Sequence, residues 1–164
     1  MEALTSDAWY VLKTKPRQDE RAIQSLDNQG FEVFGPKLTV KKVRRGKRMS
    51  SVEPMFPGYV FVRPDNLIEQ FYKLRNTFGV NNVLKFGDSI PTIPQSWIDD
   101  LRSMDAAAES DAPQVGDSVE IKEGPFRGYM AKIVELDGES RCFVLLEWMQ
   151  KKVRANFSYS ELTL

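Results

Sequence analysis

The stretch that decides the architecture is Glu53-Pro54-Met55-Phe56-Pro57-Gly58-Tyr59-Val60-Phe61-Val62. Residues 59–62 form a strand too apolar to be half-exposed. Two prolines and a glycine punctuate its approach. A core strand accounts for half of the aromatics. Its other face then presents Tyr or Phe to solvent or to a partner, and exposed apolar patches of that kind mark interfaces.

Upstream, Trp9-Tyr10-Val11-Leu12 is a second short apolar run suited to a buried strand. Pro16 suits a first helical turn, with Asp19 and Glu20 near its positive end. Ala22, Ile23 and Leu26 share a face of that helix, and Gly30 stops it. Residues 31–34 and 37–43 are extended. Arg45-Gly46 makes a turn before 48–52, which gives a basic hairpin. Downstream, 66–74 is a helix with Leu67, Phe71 and Leu74 in phase, and 80–86 is a strand. Residues 94–104 are a third helix with Trp97, Ile98, Leu101 and Met104 on one face. The order strand, helix, strands, helix, strand is that of a ferredoxin-like α+β domain decorated with a hairpin.

From Asp105 the chain loses apolar periodicity and becomes Ala, Ser, Asp, Glu and Pro, which is linker composition. This divides the 164 residues into a first domain at 1–104, a linker at 105–113 and a small second domain at 114–164. The second domain has two readings. As strands, 119–121, 131–136 and 141–148 belong to a five-stranded β-barrel, with Asp137-Gly138 as a hairpin turn. As helices, Phe126, Tyr129, Met130, Ile133 and Val134 make one stripe, and Leu145, Leu146, Met149 and Val153 another. Short apolar runs fit both periods. An element with two packings needs a gap of only a few kcal/mol between them.

The composition narrows the chemistry. There is no His, which removes Ser-His-Asp and Cys-His machinery and His-ligated metals. One cysteine, Cys142, makes neither an internal disulfide nor a zinc cluster. The amino terminus does not read as a signal peptide, and no run reaches the ~18 apolar residues of a membrane span. A cytoplasmic protein without cofactor, metal or membrane partner is expected, and not an enzyme. The carboxylates of Asp99, Asp100, Glu109 and Asp111 lie near or in the polar linker, where solvation explains them.

The charges are 23 basic against 23 acidic, but they are not evenly spread. Residues 1–105 hold 16 basic and 13 acidic side chains; residues 106–164 hold 7 and 10. Lys37, Lys41, Lys42, Arg44, Arg45, Lys47 and Arg48 fall within twelve residues without an acidic neighbour among them. Lys13, Lys15, Arg17 and Arg21 lead into and lie on the first helix. With the hairpin they form a candidate phosphate-binding surface, and a solvated basic face is the plain alternative.

The motif EPMFPGYVFV at 53–62, with WYVLKTKPRQDERA at 9–22 and FGVNNVLKFG at 78–87, resembles the amino-terminal domain of NusG-like transcription elongation factors. VGDSVEIKEGPFRGYMAKIVELDGE at 115–139 resembles the KOW motif that ends such proteins. Within the family, residues 43–62 and LDGESR at 136–141 are most similar to the RfaH-type paralogues. The resemblance implies a monomeric elongation and antitermination factor that binds RNA polymerase at the clamp helices of its largest subunit. Tyr59 and Phe61 match the polymerase patch, with Val80 and Phe86 completing it. Lys15, Arg21 and Thr77 match positions touching the non-template DNA strand. Phe78 stands where RfaH-type proteins carry Arg, and an aromatic there can stack on an unpaired base. Ser25 replaces a His, and residues 70–73 replace a His-Thr-rich run that faces the opposite polymerase subunit.

The resemblance also implies that the second domain masks the patch as a helical hairpin and refolds on release to a β-barrel. That barrel recruits a small-subunit ribosomal protein of the NusE type. Glu53 and Arg141 match the interdomain ion pair of the closed state, and the stripes with Phe126, Ile133 and Leu145 are the interdomain candidates that agree with such switching. The alternatives are a constitutively open general factor of the NusG type, or a ribosome- or RNA-binding KOW protein without a polymerase role.

Overall fold

The computed structural model describes residues 8–103 and 136–162, with side chains from 152 onward and that of Lys42 left aside. In chain order the elements are β1 (Tyr10–Thr14), α1 (Asp19–Asn28), β2 (Glu32–Phe34), β3 (Lys37–Arg44), β4 (Lys47–Pro54) and β5 (Tyr59–Arg63). They continue with α2 (Leu67–Arg75), β6 (Val80–Val83), α3 (Gln95–Ser103) and α4 (Gly138–Leu162). The expected ferredoxin-like order is present. β1 and β5 are the central strands of an antiparallel four-stranded sheet ordered β2-β5-β1-β6. β3 and β4 form a separate two-stranded ribbon inserted between β2 and β5.

Two-residue periodicity divides the core into two layers. Tyr10 and Leu12 of β1 and Val60 and Val62 of β5 face Ala22 and Leu26 of α1 and Leu67 and Leu74 of α2. Val11 and Phe61 point the other way, into a layer with Phe34, Phe56, Ile93, Trp97, Ile98 and Leu101. Cys142, Leu145 and Met149 of α4 complete that second layer. The 59–62 run is therefore covered on both sides, as its composition demands, and the covering of its aromatic face comes from the far end of the chain.

Three boundaries differ from the sequence reading. α1 begins at Asp19 rather than at Pro16. Arg17 adopts φ +61°, and the Gln18 amide donates to the Lys15 carbonyl at 3.0 Å, so a turn precedes the helix. β6 ends at Val83, although the Leu84 amide still reaches the Val11 carbonyl at 2.9 Å. Phe86 then bridges to Ser89 across a tight turn in which Gly87 has φ +60°. In the second domain, 138–162 is helical and Asp137 caps it rather than turning a hairpin: the Ser140 amide donates to Asp137 Oδ1 at 2.8 Å. The stripe at 126–134, with Phe126 and Ile133, lies outside the described residues, as does Met104.

Candidate functional site

The turn that carries the chain into β5 is held from three sides. The Met55 amide donates to the Pro36 carbonyl at 2.7 Å, and the Thr14 amide to the Gly58 carbonyl at 2.8 Å. Asp19 supplies the third hold. One carboxylate oxygen accepts from the Thr14 hydroxyl at 2.6 Å and the other from the Gly58 amide at 2.9 Å. Gly58 sits at φ +91°, a conformation that glycine adopts without steric cost. The turn thereby presents the carbonyls of Pro54, Met55 and Pro57 outward, next to Phe56.

The start of α4 uses those carbonyls. Arg141 is 0% exposed. Its Nε donates to the Met55 carbonyl at 2.7 Å and its Nη1 to the Leu136 carbonyl at 2.6 Å. Nη2 donates to Glu53 Oε1 at 2.7 Å and to the Pro54 carbonyl at 3.3 Å. A buried guanidinium is costly unless its donors are matched, and here a carboxylate and three carbonyls match it. One residue on, the Cys142 thiol donates to the Pro57 carbonyl at 3.2 Å, and burial pushes that thiol up from 9.0 to about 12. At Gly138, a Cβ would stand 2.8 Å from Pro57 Cγ, so only glycine allows this approach. Hydrogen bonds from Ser140 hold the Asp137 carboxyl below its ordinary value.

Further along α4, Leu145 and Met149 enter the aromatic layer, with Val144 and Trp148 at its edge. The Trp148 ring lies 3.5 Å, centroid to centroid, from Trp97 of α3. Tyr59 and Phe86 are partly buried against the same layer, and Phe61 lies within it, stacked on Phe34 and edge-on to Phe56. The structure thus brings together Tyr59, Phe61, Phe86, Leu145, Glu53 and Arg141.

It does not bring Val80 to them. Val80 belongs to the opposite layer, with Leu12, Leu26 and Leu74, because its position in β6 points it at the helices. Thr77 is likewise turned inward. It is buried, its hydroxyl donates to the Lys73 carbonyl at 2.8 Å and accepts from Gln29 Nε2 at 2.9 Å. Lys15, Arg21 and Phe78 do form one exposed corner. The Lys15 amide donates to the Gly79 carbonyl at 2.8 Å, and the Arg21 guanidinium lies 5.4 Å from the centre of the Phe78 ring. Phe78 is 73% exposed.

Sequence reasoning missed Cys142, Asp19 and the Trp97–Trp148 contact. One signal was available: Cys142, Leu145 and Met149 are spaced i, i+3, i+7, so the helical stripe begins one turn before Leu145. Backbone carbonyls as partners for Arg141 carry no sequence signal.

An aromatic layer covered by α4 and an exposed corner with Lys15 and Arg21 are thus carried on a ferredoxin-like sheet. A family model described as "Transcription termination factor nusG" matches residues 7–102, and the KOW motif matches residues 115–147. The chain belongs to the NusG family, whose members are transcription termination and antitermination factors and not enzymes. The NusG of Halalkalibacterium halodurans is 28% identical over 149 residues, covering 81% of this chain and 84% of its own. That of Staphylococcus aureus is 24% identical over 177 residues, covering 98% and 97%. A solved structure titled "Domain interaction in Thermotoga maritima NusG" aligns with a TM-score of 0.40 at 18% identity, covering 71% of this chain and 66% of that one. No helix among the described residues is long and apolar enough to cross a membrane.

Proposed function

We propose that this chain is an RfaH-type elongation and antitermination factor whose free form is closed. Tyr59, Phe61 and Phe86 belong to the surface that binds the clamp helices of the largest RNA polymerase subunit, and α4 covers that surface until it is displaced. Lys15, Arg21 and Phe78 contact the non-template DNA strand, with Phe78 stacking on an unpaired base. The released second domain binds a small-subunit ribosomal protein of the NusE type through a KOW barrel. The observation that carries this reading is the four-bonded Arg141 at the start of α4, paired with Glu53 across 88 residues of chain. A contact that buries a charge and an apolar face together is suited to masking, since both must be exposed to open it.

The test is capture of core RNA polymerase by the full chain. Glu53→Ala should raise capture over the wild type, and adding Tyr59→Ala should abolish the gain. Equal capture by all three would refute masking. The NusG names of the relatives favour a second reading, a constitutively open general factor. NMR of the intact chain separates them: β-type shifts over 138–162 in the free protein belong to the open factor.

A further inference from the structure

The β3–β4 ribbon stands apart from both core layers beyond its first residues. Leu38 is buried and Glu53 meets Arg141, but from Lys41 to Val52 every described residue is exposed, the turn included. Lys41, Arg44, Arg45, Lys47 and Arg48 make no ion pair among the described residues. No acidic residue occurs between Lys37 and Val52. The register pairs Lys41 with Ser50, Val43 with Arg48 and Arg44 with Lys47. Lys41, Val43, Arg48, Ser50 and Val52 therefore share one face. Val43 is 72% and Val52 58% exposed, which is unusual for β-branched side chains without a partner. A shallow groove of about 370 Å³ runs past Lys41, Val43, Arg48, Met49 and Ser50.

The tip adds an independent observation. Arg45 at φ +53° and Gly46 at φ +76° form the two-residue turn in which both central residues are left-handed. Asn, Asp or Gly is cheaper at the first of these positions. An arginine there keeps a cation at the apex against the local preference.

We propose that this ribbon is a duplex-DNA contact that operates without polymerase and is separate from the Lys15–Arg21–Phe78 corner. The seven steps from Lys37 to Arg44 give it a reach of about 23 Å. The major groove of B-form DNA, about 12 Å wide, admits a two-stranded ribbon, whereas that of A-form RNA is too narrow for side chains to read. Lys41 and Arg48, on the Val43 face, and Arg45 at the apex lie against phosphates; Arg44 and Lys47, on the opposite face, reach the flanking phosphates along their long stems; and Val43 meets the groove floor, where thymine methyls offer apolar contact.

The test is fluorescence anisotropy of the full chain with a labelled 24-base-pair DNA, at several salt concentrations. Five phosphate contacts predict a log–log salt slope of about −4.5. The variant Arg44→Gln/Arg45→Asn/Lys47→Gln keeps a turn-compatible tip and should bind at least about tenfold more weakly, with the slope reduced by about 2.7. Lys41→Glu, away from the tip, should weaken binding as well. Tyr59→Ala, which tests the polymerase reading, should leave duplex affinity unchanged, so the two can fail separately. Wild-type affinity in the triple variant with unchanged circular dichroism would overturn the proposal. So would equal affinity for duplex RNA of the same length, or binding to anionic phospholipid vesicles without binding to DNA.

Discussion

Arg141 shows how one buried charge can hold two domains. Its guanidinium satisfies four acceptors, three of them backbone carbonyls. Arg141→Met keeps most of the volume but leaves those carbonyls unpaired. It should cost about 3–5 kcal/mol of closed-state stability, read from the urea midpoint. Glu53→Gln retains an acceptor near Nη2 and should cost clearly less. A double-mutant cycle over the two positions should give a coupling of about 0.5–3 kcal/mol, and additive effects would remove the pair from the closing mechanism. Lysine is a poor substitute at 141, because a single ammonium cannot reach carbonyls on both sides of the turn. The Glu53–Arg141 pairing was legible in the sequence only through family resemblance. The carbonyl partners were not legible at all, since every residue has a carbonyl and only geometry selects three.

At the scale of elements, the loop between α2 and β6 depends on one glycine. Gly79 has φ +85°, and a Cβ there would lie 2.8 Å from the Ala22 amide nitrogen and 2.9 Å from the Gln18 carbonyl oxygen. Both are backbone atoms at the start of α1, so no side chain can swing aside. Gly79→Ala should destabilise the first domain by about 1–3 kcal/mol, measured by urea denaturation. The same close approach sets Phe78 beside Arg21, so the exposed corner is a product of loop packing. Strand β6 marks where pattern reading falls short. Its periodicity says that Val80 and Val83 are apolar, but not which of two apolar layers they enter. That choice is made by the pairing with β1, where a bulge between Lys13 and Thr14 shifts the register.

For the whole molecule, the proposed masking makes α4 a lid over the aromatic layer, and the buried Cys142 is a reporter of whether it is seated. Burial raises the thiol from 9.0 to about 12 in the closed chain. Because the folded value is the higher one, the stabilisation is complete below pH 9 and is lost as the pH climbs toward 12. The closed form should therefore weaken through that alkaline window, visible as a falling thermal midpoint whose slope is smaller in a Cys142→Ala variant, where Tyr10 and Tyr59, raised from 10.0 by burial, still contribute. At pH 8 the wild-type thiol should react with an aromatic disulfide reagent at least about tenfold more slowly than in Arg141→Met. Equal rates would mean that α4 does not stay seated in solution.

The sequence by itself determined the first domain: continuous apolar runs in 9–12 and 59–62, helical stripes in 66–74 and 94–104, and Arg45-Gly46 between two extended runs admit few other arrangements. Local periods suffice there because each element's apolar pattern fits one period, even though β1 finds its partners in β5 and β6, far along the chain. Only the tertiary structure decided that 138–162 is helical. Its apolar residues satisfy either period, and the balance is tipped by partners more than forty residues away. These are the carbonyls of 54–57, the Glu53 carboxylate and the Trp97 ring, which meet one helical face and would not meet alternate residues of a strand.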